Sequence, residues 1–166
     1  MPKIIGIDPG LADTGVGIVW GRGTCVEGYA FGVVHTQKTD SLSTRLELIF
    51  TRLSSVIEKE TPDLMVVEEV FSLPRYPASA IGLGKVVGVV LLAGGQAGVP
   101  VREVPVREAK QVLTGNGNAS KKQLERSVRR ALQRQTPITP DHASDALGLA
   151  LIGLFRFGTL NITQTK

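Results

Sequence analysis

Short apolar runs rich in β-branched residues open the chain, and the spacing then changes to a helical one. KIIGID (3–8) and TGVGIVW (14–20) read as strands joined by a Pro-Gly turn. A third strand is expected from Glu27 to Thr36. Leu46, Ile49, Phe50, Leu53 and Ile57 recur at three- and four-residue intervals and predict an amphipathic helix over 43–60, which Thr61-Pro62 stops. DLMVVEEV (63–70) is a buried strand whose apolar run ends in two carboxylates.

The second half alternates in the same way. A Gly-rich apolar helix is expected near 78–97, a short strand at Val99–Val104 and a helix over 106–114. Ser120 with Gln123 three residues later is a capping-box signature for a helix reaching about 134, with Leu124, Val128, Ala131 and Leu132 as its apolar stripe. Lys122, Arg126, Arg129 and Arg130 fall on another face. A last helix begins near Pro140 and runs to about Phe157. A three-strand meander followed by strands alternating with helices predicts an α/β architecture, a mixed sheet flanked by helices. No repeat or linker divides the chain, so one domain is expected over 1–158, with a polar tail over 159–166.

Composition narrows the setting. The 166 residues are 42% hydrophobic and 20% charged, ordinary values for a globular domain. Cys25 is the only cysteine, so no internal disulfide forms, and a reducing, cytoplasmic setting is the simple expectation. The start of the chain reads as a strand and not as a signal peptide. Residues 78–95 invite a membrane reading, but Lys85 and five glycines interrupt them, and a bilayer needs about 20 apolar residues. A buried helix is expected there and no membrane association.

The net charge of +4 is unevenly placed. Residues 1–70 hold 6 basic and 10 acidic side chains, whereas 71–166 hold 13 and 5. A basic surface beside an acidic pocket suits a polyanion held near bound cations; a merely solvated basic face is the alternative.

The acids stand at element ends. Asp8 closes the first strand inside GIDPG, and Glu68 and Glu69 close LMVVEE. His142 and Asp145, spaced i, i+3, share a helix face, and Asp141, spaced i, i+4 from Asp145, could share one too. Taken singly, Asp8 could be a turn former, and each acid could be paired with a nearby Arg or a helix N-terminus. Taken together, two unit charges 4 Å apart repel by about 4 kcal/mol at an effective dielectric near 20. The local sequence offers no adjacent Arg or Lys to neutralise them. Divalent cations bound by carboxylate oxygens are the natural solution, and two such ions make a phosphodiester hydrolysis centre.

Four blocks then carry a resemblance: GIDPG-x4-G (Gly6 to Gly15), VVEEVF (Val66 to Phe71), VREAKQVLTGNGNASKKQ (Val106 to Gln123) and HASDALGLA (His142 to Ala150). In this order and spacing they resemble the RuvC family of Holliday-junction resolvases over roughly residues 3–155. The resemblance implies an RNase H-like fold with a five-stranded mixed β-sheet flanked by α-helices. It also implies a homodimeric endonuclease that nicks two opposed strands of a four-way DNA junction symmetrically. Its ends would be ligatable, and it would work with a branch-migration motor of the RuvA and RuvB type. Asp8, Glu68 and Asp145 match family catalytic carboxylates that bind Mg²⁺ or Mn²⁺, two per active site. The fourth position is His142 where Asp is commoner; Asp141 is the weaker alternative. An imidazole ligand would shift preference from Mg²⁺ towards Mn²⁺.

The same resemblance makes Phe71 an aromatic that stacks on an unpaired junction base, with a plain core Phe as the alternative. Lys110 and Lys121 match basic positions near the scissile strand; Lys122, Arg75 and Lys85 are weaker DNA contacts. After Phe71 the chain reads SLPRYP, two prolines and one residue more than the family pattern, which implies a stiffer loop. Ala80, Gly84 and Gly88 recur every fourth residue, as a dimer interface or as close packing on the sheet. Three rivals stand beside this reading: an actin-type ATP-binding domain, whose phosphate loop GIDPGLADTG imitates, a DNA-binding module without activity, and another RNase H-like nuclease. The first needs two such domains and a far longer chain.

Overall fold

The structure is a computed structural model that describes residues 1–70 and 77–158. Three antiparallel strands come first: β1 (Lys3–Asp8), β2 (Asp13–Arg22) and β3 (Cys25–His35). Helix α1 (Leu42–Glu60) crosses over to β4 (Leu64–Glu68), which pairs parallel to β1, and α2 (Pro77–Gln96) crosses over to β5 (Val101–Val104), parallel to β4. Helices α3 (Val106–Thr114), α4 (Lys121–Ala131) and α5 (Asp141–Phe157) complete the chain. The sheet order is β3-β2-β1-β4-β5, the mixed five-stranded arrangement of the RNase H-like fold.

Side-chain alternation builds two cores from this one sheet. Ile5, Ile7, Ile18, Met65 and Val67 point to the α1–α2 face and pack on Ile49, Leu53, Val86 and Val90. Ile4, Val19, Leu64 and Val66 point the other way and pack on α5, whose outer side meets Val128 of α4, Leu132 at its C-cap and Ala109 of α3. Helix α5 is therefore enclosed, and every residue from Ala146 to Leu154 is buried. Asp8 and Glu68 continue the even-numbered series, so both emerge on the α5 face.

The local signals act as the chemistry requires. Ser41 caps α1 by accepting from the Thr44 amide, and Ser120 and Gln123 form the reciprocal capping box of α4. Thr61 ends α1 in the left-handed conformation, φ 46°, ahead of Pro62. Helix α4 stops at Ala131 rather than near 134, because Gln133 takes a positive φ of 53° that breaks the helical repeat. Pro140 is the N-cap of α5 and not its first turn. Strand β4 ends at Glu68, short of the Val70 expected from composition.

None of the described helices is long and apolar enough to cross a membrane. A methyl group at Gly84 or Gly88 would meet nothing within 4 Å among the described residues, so these glycines do not serve packing on the sheet. Val86, Val90 and Ala93 make that contact instead.

Candidate active site

Asp8 and Glu68 reach the same level because β1 and β4 run in parallel register, with Ile7 opposite Val67 one residue earlier. Helix α5 delivers His142 and Asp145 to that level, and glycines explain how it comes so near. A methyl on Gly6 or Gly17 would overlap the Ala146 backbone, and one on Gly15 the His142 carbonyl. Two sheet strands thus offer α5 a bed without side chains, and the helix backbone lies directly on it.

The outcome is one small cleft of about 180 Å³ lined by Asp8, Glu68, Lys110, Lys121, His142 and Asp145. That volume is below the range of pockets that enclose a cofactor or a drug-sized ligand, and it suits ions beside the edge of a larger, outlying substrate. Larger grooves lie elsewhere, among them one between β3 and α1 and one between the ends of α1 and α2; neither of these gathers the acid–imidazole set.

Electrostatics sets this cleft apart. Burial, a hydrogen bond to Asp8 and the charges of Asp8 and Asp145 push the Glu68 carboxyl up to about 8, with Lys121 opposing. Burial and the Asp8 charge likewise raise Asp145, again against Lys121. Such shifts mark carboxylates short of positive charge. The His142 Nδ1 lies 2.6 Å from Asp8 Oδ2.

No Lys or Arg adjacent in sequence neutralises the acids, but one distant in sequence does approach: Lys121 Nζ lies 3.5 Å from Asp145 Oδ2. Lys121 is distant in sequence from every one of them and arrives only through the packing of α4 on α5. It is largely exposed, with 74% of its side chain accessible, so solvent screens its ammonium and it compensates the acids only in part. The donor set fits hard divalent cations, since oxygens dominate and charge compensation is incomplete. No three His, Cys, Asp or Glu side chains among the described residues are drawn into a metal-holding arrangement as they stand. Asp8 is occupied by His142, and Asp145 by Lys121.

The other expected residues distribute as follows. Lys110 and Lys121 line the cleft itself. Lys122 and Asp141 line the neighbouring depression on the far side of Asp145, with Arg126 and Arg129. His142, and not Asp141, contacts Asp8. Lys85 is exposed on α2, and Glu69 lies just past the end of β4, its amide donating to the Val104 carbonyl. Phe71 and Arg75 lie outside the described residues.

An acid-lined cleft at the ends of β1 and β4, under a helix of an RNase H-like sheet, defines a nuclease of that fold class. The family model for "Crossover junction endodeoxyribonuclease RuvC" matches residues 4–153. The RuvC of Carboxydothermus hydrogenoformans is 37% identical over 158 residues, 95% of this chain and 99% of the relative. That of Salinispora arenicola is 38% identical over 95% of this chain and 90% of its own. The solved structure of Thermus thermophilus RuvC in complex with Holliday junction substrate superposes with a TM-score of 0.87 at 32% identity, covering 93% of this chain and 94% of that one. The chain belongs to the RuvC family. It is accordingly a crossover junction endodeoxyribonuclease, a Holliday-junction resolvase, in a family of divalent-metal nucleases, and the actin-type reading is set aside.

Proposed function

We propose that Asp8, Glu68 and Asp145, completed by His142, form the hydrolytic centre that nicks two opposed strands of a four-way DNA junction, leaving 5′-phosphate and 3′-hydroxyl ends. The observation that carries this reading is the convergence of three carboxylates, two of them with raised pKa, against one exposed lysine. Asp141 faces the outer depression and is a poorer fourth donor than His142.

The four side chains would hold Mg²⁺ or Mn²⁺, two ions per site, and an imidazole in the set favours Mn²⁺. When bound, these ions supply water activation and charge stabilisation of the leaving 3′ oxygen. The chain's own groups do the rest. Lys121 and Lys110, from two helices on one rim, neutralise the scissile phosphate and orient its strand. Lys121, which pairs with Asp145 here, would have to release that carboxylate for it to hold a cation. Asp8 fixes the imidazole through Nδ1 and leaves Nε2 as its outward nitrogen.

Beyond the cleft, Lys122, Lys85 and Arg75 serve as backbone contacts for the junction arms. Phe71, just past β4, stacks on an unpaired base, an interaction worth about 1–3 kcal/mol. Symmetric nicking needs two copies of the site, so the working form is a homodimer, with Ala80, Gly84 and Gly88 of α2 as its closest-approach face. One RNase H-like domain over 1–158 carries the activity, and 159–166 is a polar tail. It acts in the cytoplasm with a branch-migration motor of the RuvA and RuvB type.

The test is a synthetic four-way junction incubated with Mg²⁺ or Mn²⁺, beside a linear duplex and an RNA–DNA hybrid, with product ends mapped. Paired nicks at symmetric positions, sealed by ligase, are expected. Preferential cleavage of the hybrid, or unpaired nicks with unligatable ends, would refute the proposal.

A further inference from the structure

The turn between Asp8 and β2 is held from the opposite side of the sheet. Its three successive carbonyls are all engaged: Thr14 Oγ1 donates to Gly10 O at 2.7 Å, Thr36 Oγ1 donates to Leu11 O at 2.6 Å, and the Thr36 amide donates to Ala12 O at 2.9 Å. Thr14 and Thr36 are both buried, at 0% and 1% exposure. Above them sits Arg45, from the first turn of α1. Its Nε donates to Thr36 Oγ1 at 2.8 Å and its Nη2 to Leu11 O at 3.2 Å. Among the described residues no carboxylate is within ion-pair distance of this guanidinium. Its bonds to the turn are therefore its defining contacts.

What the turn supports is the imidazole. A methyl built on Gly10 would stand 3.7 Å from His142 Cε1, so the turn runs beside that ring, about one methyl group away from it. Asp8, which holds His142 Nδ1, is only two residues away. Displacement of the Leu11 carbonyl would move the turn that follows Asp8 and so tilt the carboxylate that holds the ring. A fork of two fixed N–H donors resists that displacement better than a single flexible ammonium.

We propose that Arg45, acting through Thr36 and the Leu11 carbonyl, is a positioning residue for the Asp8–His142 pair. In this role Arg45 sets the geometry in which the other residues work. This rests on the assignment of His142 to the hydrolytic centre.

The experiment compares Arg45→Met, Thr36→Val and Thr36→Ser in the full chain, with three readouts. These are the single-turnover rate on a four-way junction, junction affinity, and the NMR ring signals of His142 in metal-free, DNA-free protein. Arg45→Met and Thr36→Val are expected to lower the single-turnover rate about ten- to a hundredfold, as a displacement of an ångström or less does. Affinity should stay within about twofold, since only reacting-state geometry is lost. The His142 ring signals should shift in both. Thr36→Ser, which keeps the hydroxyl, should recover the rate that Thr36→Val loses. Since Thr36→Val conserves volume, it tests the idea even if Arg45→Met folds poorly. Unmoved His142 signals would overturn the proposal, as would a loss confined to junction affinity, which would make Arg45 a phosphate contact. The site assignment is judged separately: full cleavage by His142→Ala would refute it. An impaired His142→Ala beside unimpaired Arg45→Met and Thr36→Val would refute the positioning role alone.

Discussion

His142 Nδ1 and Asp8 Oδ2 meet at 2.6 Å across 134 positions of sequence, joining the first turn of α5 to the last residue of β1. This contact decides which helical residue faces the strand acids. The relation is reciprocal: Asp8 orients the ring, and the ring places a nitrogen where most of the surrounding donors are oxygens.

His142→Asp should therefore change the choice of ion more than the fold. Imidazole suits Mn²⁺ better than hard Mg²⁺, and a carboxylate reverses that order. The ratio of Mn²⁺-supported to Mg²⁺-supported junction cleavage is expected to fall in the variant. An unchanged ratio over a full titration of both ions would remove His142 from the ion-binding set.

Glu68→Gln should separate binding from hydrolysis. The substitution keeps shape and removes a charge that burial and Asp8 already oppose. Junction binding is expected to survive, or tighten slightly as negative charge leaves the DNA face. Cleavage should fall by orders of magnitude, which band-shift and single-turnover assays on one preparation would show. Cleavage at the parent rate would dismiss Glu68 from the chemistry.

The raised carboxyls carry a pH signature. The Glu68 pKa rises from 4.5 to about 8 on folding, so the folded form holds its proton more tightly than the unfolded chain. The resulting stabilisation is full below 4.5 and lost as pH rises through about 8. Asp145 is raised too and acts in the same direction. The melting temperature of metal-free protein should fall across this window, by about 2–4 °C for each kcal/mol. Excess divalent cation should flatten or reverse the fall, since it binds the ionised carboxylates of the folded state. Glu68→Gln should flatten it without any cation. A metal-free melting temperature that climbs through the window, in parent and variant alike, would contradict the assignment.

The strands were legible because β-branched runs and turn residues agree over short distances; Asp8 and Glu68 stood out as acids ending apolar runs, and Asp145 by its i, i+3 spacing from His142. Lys121 as their counter-ion was not, because its approach to Asp145 depends on α4 packing on α5, which no local pattern encodes. The choice between Asp141 and His142 was also closed to spacing alone. Both lie within one turn of Asp145, and only the seating of α5 on the sheet turns His142 inward. One signal was present and went unread. Gly6, Gly15 and Gly17 fall on the same sheet face by alternation, and glycine inside a strand marks the close approach of another backbone.

That bed of glycines gives the last prediction. A methyl on Gly15 would overlap the carbonyl oxygen of His142 and crowd its carbonyl carbon, which are backbone atoms unable to rotate away. Relief requires lifting the first turn of α5 from β2, and Gly15 is the register partner of Asp8. Gly15→Ala should thus cost stability, by at least the 1–3 kcal/mol typical of overpacking (about), and also pull His142 from Asp8. Gly95→Ala is the control: it lies in α2, none of the described residues stands within 4 Å of the added methyl, and helix propensity predicts a gain of about 0.5–1 kcal/mol. Urea unfolding of both variants at one pH measures the difference. If Gly15→Ala unfolds at the parental midpoint and cleaves junctions at the parental rate, α5 does not rest on the sheet as described, and the cleft it completes with Asp8 and Glu68 loses its physical basis.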